Sequence, residues 1–314
     1  MSTPKLSIVV PVFGVDKWLP ECLNSVWAQT FTAWECILVD DGSRDFSGII
    51  CDSFARRDPR FKVIHQRNTG VSAARNAGIE AATAPLLAFV DPDDFLNECY
   101  FAELVAEMQR VGADVAISTV NTVAEDGSHN IYKIVNKLDL FITGMPENAV
   151  MLNNQTIING ICNNLFTCSS WGKMFRRELW GNTRFPAEIN LGEDAMTIPA
   201  VIARADKAVC VKQAVYFYRQ RTKSLSNGTV SYQRFQKNLY ATSVMLDRLC
   251  AISPENRERF QKLKLRYDIE GLMYFLRSKP KEAKGKSGLR AMAQGIEDSG
   301  SIDVLTPILK RLVE

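Results

Sequence analysis

Histidine is nearly missing from this chain: His65 and His129 are the only two among 314 residues. A His-based catalytic triad or a His-ligated metal therefore has few places to form. The eight cysteines contain no C-x-x-C pair and are scattered through apolar segments, which argues against zinc and predicts reduced core thiols. The early glycines do not make the G-x-G-x-x-G fingerprint of a dinucleotide site. No apolar run reaches bilayer-spanning length, and Met1-Ser2-Thr3-Pro4-Lys5 leads into a short strand-like segment without a signal-peptide h-region. The expectation is a cytoplasmic protein, soluble or peripheral at the inner face of the cell membrane. Neither sign of charge dominates, and a formal net charge of +3 is too mild to imply nucleic acid as a partner. With 46% hydrophobic and 23% charged residues, the chain can bury a sizeable core as one large domain, or one domain plus an appendage.

The first ninety residues alternate between two periods. Short β-branched runs at Leu6 to Val12, Glu35 to Asp40, Phe61 to His65 and Leu86 to Val90 read as strands. Between them, Lys17 to Gln29 (capped by Asp16), Phe46 to Arg57 (capped by Asp45) and Val71 to Ala82 read as helices. This pattern predicts an α/β fold, a mostly parallel sheet with helices on both faces. Further on, Glu98 to Val111 is an amphipathic helix and Val115 to Ser118 a strand, while Asn121 to Asn164 is polar and Asn-rich and fits no element. Ala195 to Arg204 reads as a helix, Ala208 to Val211 and Val215 to Tyr218 as two short strands. From about Tyr232 onward a helical period rich in Lys and Arg prevails, broken at Pro254 and Pro280.

Two of the early strands end in acid. Asp40-Asp41-Gly42-Ser43 closes one and Asp91-Pro92-Asp93-Asp94 follows another. In open α/β sheets the crevice beyond the strands' carboxyl ends is where ligands bind, and hard carboxylate oxygens there suit a divalent cation carrying phosphates. Three carboxylates in four positions repel one another unless a cation or basic partner compensates. Asp41 can accept a base or ribose hydrogen bond, or can cap the next helix, although Asp45 is the better cap. Asn68, Gly70, Arg75 and Asn76 surround the start of a helix, where backbone N–H groups and the helix dipole favour anions, and Arg67 and Arg75 can add charge-assisted contacts. The alternative for Arg75 is an ion pair with Asp91 or Asp93. Glu193-Asp194 is a candidate acid/base site, because a carboxylate can take the proton of an attacking hydroxyl. The ordinary role of Asp194 would be a helix N-cap.

Taken in order, Val9-Val10-Pro11-Val12-Phe13, Asp40-Asp41-Gly42-Ser43, Asn68-Thr69-Gly70 with Ala74-Arg75-Asn76-Ala77-Gly78, Asp91-Pro92-Asp93-Asp94 and Gly192-Glu193-Asp194 resemble the motifs of family 2 glycosyltransferases. The resemblance covers about the first 220 residues and implies a Rossmann-like GT-A domain over 1–230, its donor half about 1–120 and its acceptor half about 121–230, followed by a helical C-terminal region over 231–314. It implies that Asp41 contacts the donor base, which Pro11 and Phe13 flank, that Asp91 touches the ribose, that Asp93 binds Mn²⁺ or Mg²⁺, and that Asp194 is the catalytic base with Glu193 on the acceptor side. Trp171 resembles an acceptor-stacking residue, although Trp is more often core, and Lys173 could meet phosphate. Arg219, Arg221 and Ser224 fall where relatives close a loop on the pyrophosphate.

Two departures matter. Gly14 stands where many relatives have Asn, and the Q-x-x-R-W motif of processive synthases is absent, which points to one sugar per encounter. The resemblance implies an inverting, metal-dependent transferase that moves a sugar from a nucleotide-diphospho-sugar, a UDP-sugar foremost, to a saccharide or lipid-linked saccharide of bacterial surface-polysaccharide assembly. The rival readings are a sugar nucleotidyltransferase and a non-catalytic nucleotide- or glycan-binding relative. The lysine-rich stretch Lys279 to Lys286 gives the C-terminal helices a candidate contact with anionic membrane, an ordinary solvated loop being the plainer alternative. Donor sugar, acceptor, linkage and oligomeric state leave no mark in these motifs.

Overall fold

A computed structural model describes residues 3–126, 148–163, 165, 168–187, 192–221 and 232–278. Strands β1 (Leu6–Val12), β2 (Trp34–Asp40), β3 (Phe61–His65) and β4 (Leu86–Phe89) lie side by side and parallel, in the order β3-β2-β1-β4. Helices α1 (Leu19–Trp27), α2 (Ser47–Arg57) and α3 (Val71–Ala81) connect them. β1 and β2 are buried along their whole length, as expected of parallel strands covered on both faces, and that is why they read as unbroken apolar runs. Asp45 does serve the start of α2, its Oδ1 accepting the Ser47 N–H at 3.0 Å. Asp16 does not cap α1, which begins at Leu19 without a side-chain cap. Its carboxylate instead accepts the Phe46 N–H at 3.4 Å, and its own N–H donates to Asp45.

The second half adds β5 (Phe95–Leu96), α4 (Tyr100–Val111), β6 (Val115–Val123), β7 (Ala149–Asn153), α5 (Asn154–Cys162), β8 (Lys173–Arg176), α6 (Glu193–Ala203), β9 (Lys207–Arg219), α7 (Tyr232–Ile252) and α8 (Arg257–Ser278). The sheet continues from β4 as β8-β6-β9-β5, with β7 also on β9. The expected parallel sheet therefore becomes mixed: β6 and β9 are parallel, but β8 runs antiparallel to both β4 and β6. β8 escapes a pattern reading because it has four residues and begins and ends in Lys and Arg. The two predicted strands at 208–211 and 215–218 are one strand, β9, with a shift of register opposite Ser118 and Thr119. Part of the segment without assignment folds as β7 and α5. Residues 127–147, Ser224 and the stretch from Lys279 onward lie outside the described residues.

Alternation along the strands divides the core between the faces of the sheet. Ile8, Val10, Cys36 and Leu38 meet Leu19, Leu23, Phe101 and Leu104 on one side. Val9, Ile37, Val39 and Phe89 meet Ala74, Ile198, Val201, Met245 and Phe260 on the other. The described C-terminal helices thus contribute to the same core as the first strands. Arg248 of α7 ties them to α6, donating to Met196 O at 3.0 Å and Thr197 Oγ1 at 3.2 Å, and to Arg184 O at 3.2 Å. All eight cysteines are free thiols. Among the described residues no helix is long and apolar enough to cross a membrane.

Candidate active site

The acidic turn after β4 is braced from β9. Asp94 N–H closes the turn on Asp91 O at 3.1 Å. Asp94 is buried, its Oδ2 accepting the Tyr216 hydroxyl at 2.7 Å and its Oδ1 the Arg219 N–H at 2.8 Å. The Tyr216 oxygen in turn accepts the Asp91 N–H at 3.1 Å. Burial, with Asp93 and Asp91 adding repulsion, pushes the Asp94 carboxyl well above the usual range. Burial likewise raises Asp91, to about 7, against the pull of Arg75 and with Asp93 and Asp194 adding to the rise. Oxygens of Asp91, Asp93 and Asp94 lie within 4.8 Å of one another. A crowd of hard oxygen donors carrying this much mutual repulsion fits a divalent cation such as Mn²⁺ or Mg²⁺. Because both Asp94 oxygens already accept hydrogen bonds from β9, Asp91 and Asp93 are the residues that would hold it.

Arg75, on the buried face of α3, joins this turn to a segment more than a hundred residues away. Its Nη2 lies 3.3 Å from Asp91 Oδ1, and its Nη1 lies 2.8 Å from Glu193 Oε1 and 3.0 Å from Asp194 Oδ1. Burial opposes the guanidinium charge, but Asp194, Asp91 and Glu193 outweigh it and keep the group protonated. Burial and the neighbouring Asp194 raise the Glu193 carboxyl in spite of Arg75. Gly192, in the left-handed region at φ 84°, precedes α6 and sets Glu193 and Asp194 in its first turn. The other Asp194 oxygen accepts the Ser170 N–H at 3.0 Å and the Ser170 hydroxyl at 3.4 Å. Asp194 is therefore oriented from two sides, by Arg75 and by the loop before β8.

On the donor side, Asp41 sits at the end of β2. Its Oδ1 accepts the Thr69 N–H at 2.9 Å and the Gln66 amide at 2.7 Å, and its Oδ2 accepts the Gly70 N–H at 2.8 Å. An internal carboxylate thus stands at the start of α3, where the helix favours an anion, with the Gly70 N–H donating to it. Gly42 makes the approach feasible: at φ 72°, a Cβ would stand 2.9 Å from the Asn68 nitrogen. Pro11 is buried in β1, Phe13 is exposed just beyond that strand, and Arg67 and Asn68 are exposed on the loop between β3 and α3.

Three expected contacts are redirected by packing. Trp171 is 9% exposed and stacks on Tyr216 and Tyr218, with ring centroids 5.0 and 5.1 Å away, so it is a core residue and not an open platform for an acceptor. Lys173 is buried, with its Nζ donating to Ser169 O at 2.9 Å. Arg219 is a brace and not a free clamp: its Nε donates to Asp93 O at 2.9 Å, its Nη1 to Glu125 O at 3.0 Å, and its Nη2 pairs with Glu21 at 2.6 Å. Arg221 does reach the site, its Nε 2.6 Å from Asp93 Oδ2 and its guanidinium 4.8 Å from the Trp18 ring centroid. Ser170 and Tyr216 hold the site together although no motif in the sequence marks them. The repeated Tyr216 and Tyr218 hinted at one packed strand face, whereas nothing around Ser170 signals its contact.

The matches to known proteins agree with this layout. Residues 7–182 match the model of Glycosyl transferase family 2. Glycosyltransferase GlyG of Streptococcus pneumoniae serotype 4 is 33% identical over 221 residues, covering 70% of this chain and 72% of its own. Glycosyltransferase GlyA of the same organism is 31% identical over 222 residues, 71% of this chain, which spans only 31% of GlyA's length. The crystal structure of S. aureus TarS 1–349 in complex with UDP-GlcNAc shares the fold, with a TM-score of 0.71 at 20% identity over 98% of this chain and 86% of that one. The match starts within β1 and runs beyond β8, so it spans the sheet ends and the acidic turn, and this chain belongs to glycosyl transferase family 2.

Proposed function

We propose that the chain is an inverting glycosyltransferase that moves a sugar from a nucleotide-diphospho-sugar, of the UDP class, to a hydroxyl of a saccharide or lipid-linked saccharide acceptor. The observation that carries this reading is the Arg75 junction, which holds the donor-side Asp91 and the acceptor-side Glu193 and Asp194 on one guanidinium. Asp194 takes the proton of the acceptor hydroxyl while that oxygen attacks the anomeric carbon. The new C–O bond forms as the bond to the diphosphate breaks, and the electron pair leaves on the diphosphate. Asp91 and Asp93 would hold Mn²⁺ or Mg²⁺, which supplies neutralisation of the charge on that leaving group. Arg75 and the Ser170 N–H fix the direction in which Asp194 accepts its proton. The UDP preference is supported by the shared fold of TarS, solved with UDP-GlcNAc.

We place this unit in residues 1–230, with a donor half to about 120 and an acceptor half from about 121, and the helical region from 231. The free thiols support a reducing, cytoplasmic location, with acceptors drawn from bacterial surface-polysaccharide assembly. The test is thermal unfolding with UDP, GDP and CMP, with and without Mn²⁺, beside UDP release from UDP-sugars. Mn²⁺-dependent stabilisation by UDP is expected. Asp194→Asn should keep that stabilisation and lose turnover by roughly 10²-fold or more, while Asp93→Asn should lose both. Near-normal turnover in Asp194→Asn would refute the assignment of the base.

A further inference from the structure

We infer that Arg221 is an internal counter-cation that competes with the divalent cation for Asp93, so that cation and nucleotide diphosphate bind cooperatively. The inference deepens the proposed function and rests on it. Arg221 lies two residues beyond the end of β9, and its Nε stands 2.6 Å from Asp93 Oδ2. The two side chains are 20% and 15% exposed, which shields the pair from most solvent screening. The guanidinium therefore lies against an oxygen that a divalent ion would need. Its guanidinium carbon also lies 4.8 Å from the centroid of the Trp18 ring, an aromatic face on which a planar cation can rest when the carboxylate is withdrawn.

Arg221 differs in this from the other two arginines of the site. Arg219 is fixed by three separate acceptors on Asp93, Glu125 and Glu21. Arg75 is spread over Asp91, Glu193 and Asp194. Among the described residues, Arg221 is the arginine paired with the Asp93 carboxylate itself, so it is the one that a cation on Asp93 would displace. Once displaced, its charge stands beside the position of the diphosphate, whose oxygens suit a guanidinium better than a carboxylate already shared with metal. Cation alone then binds against Arg221, whereas cation with diphosphate binds with its help. Linkage makes this reciprocal: whatever factor UDP adds to Mn²⁺ affinity, Mn²⁺ adds to UDP affinity.

The experiment is a direct Mn²⁺ titration, free Mn²⁺ being read from its paramagnetic resonance signal, with and without saturating UDP. In the wild type, UDP is expected to tighten Mn²⁺ binding by about tenfold or more. Arg221→Ala should bind Mn²⁺ alone several-fold more tightly than the wild type and should lose most of the tightening by UDP. Arg221→Lys retains a charge within reach of Asp93 and should return Mn²⁺ affinity toward the wild-type value. Lys17→Ala removes a neighbouring charge that lies over the same Trp18 ring at 4.8 Å, and should change Mn²⁺ affinity less than twofold. Equal gains from Lys17→Ala and Arg221→Ala would reduce the effect to general electrostatics and overturn the inference. Unchanged or weaker Mn²⁺ binding in folded Arg221→Ala would overturn it while leaving the proposed function standing. A wild type that binds no Mn²⁺, with or without UDP, would overturn both.

Discussion

Glu35 illustrates how one buried carboxylate can stabilise a sheet at the end opposite its chemistry. It lies near the start of β2, where its Oε1 accepts the Ser7 hydroxyl at 2.6 Å and both the N–H and the hydroxyl of Thr83 at 2.7 Å, and its Oε2 meets Lys62 Nζ at 2.6 Å. β1, β2, β3 and the approach to β4 are thereby tied through a single group. Burial pushes its pKa up, but the bonds from Lys62, Ser7 and Thr83 prevail and bring it down to about 2. A folded value below the unfolded one stabilises at neutral pH, and that stability fades as pH falls from about 4.5 toward 2. Between pH 7 and pH 3 the wild type should lose about 2 kcal/mol from this group alone. Urea unfolding of Glu35→Gln should show lower stability at pH 7 and a flatter acid limb; an acid limb as steep as the wild type's would contradict it. At this scale the sequence marks Asp91, Asp93, Arg75 and Asp194 as candidates by type and spacing, and the fold brings them into one group of contacts. The sequence misled at Trp171 and Arg219, because residue type says what a side chain could bind and not which neighbours have already claimed it.

Among the elements, α3 packs closely onto the sheet at Gly78. A Cβ on Gly78 would stand 2.3 Å from Val9 Cγ1, and Val9 is fully buried with a stiff β-branched side chain. Gly78→Ala should therefore destabilise by about 1–3 kcal/mol despite the gain in helix propensity. The readout is a lowered thermal midpoint, with loss of Mn²⁺·UDP stabilisation as α3 shifts Arg75. A raised midpoint would show that Val9 yields freely. The boundaries of β1, β3 and α3 were legible to within a residue, since each keeps one period and is set off by polar or turn-forming neighbours. β8 was not: its strand character comes from β4 and β6 on either side, and a four-residue segment carries too little pattern of its own. The same holds for β9, whose interruption at 212–214 looks like a turn in sequence but is absorbed by a shift of register.

For the molecule as a whole, the C-terminal helices matter to Glu193 and Asp194 through the helix that carries them. Met245, Leu249, Phe260 and Leu263 share a core with Ile198 and Val201 of α6, the helix that presents Asp194. Arg248 adds three hydrogen bonds, to Met196, Thr197 and Arg184. Arg248→Ala should cost about 2 kcal/mol, as expected for lost charge-assisted bonds to partly buried acceptors, and should lower turnover more than UDP binding because α6 and not the donor side loses support. Unfolding curves and the split between kcat and KM check this; an effect confined to KM would count against it.

β8 also sets a schedule. The partner that closes the flank of β4 lies at Lys173–Arg176, more than eighty residues after β4 ends at Phe89. A ribosome adding about 5–20 residues per second leaves that flank open for on the order of ten seconds, with Leu87 and Phe89 beside unpaired backbone. The nascent chain is most exposed to wrong pairing while the residues of its acidic turn have been made but the strand that joins β4 to β6 has not.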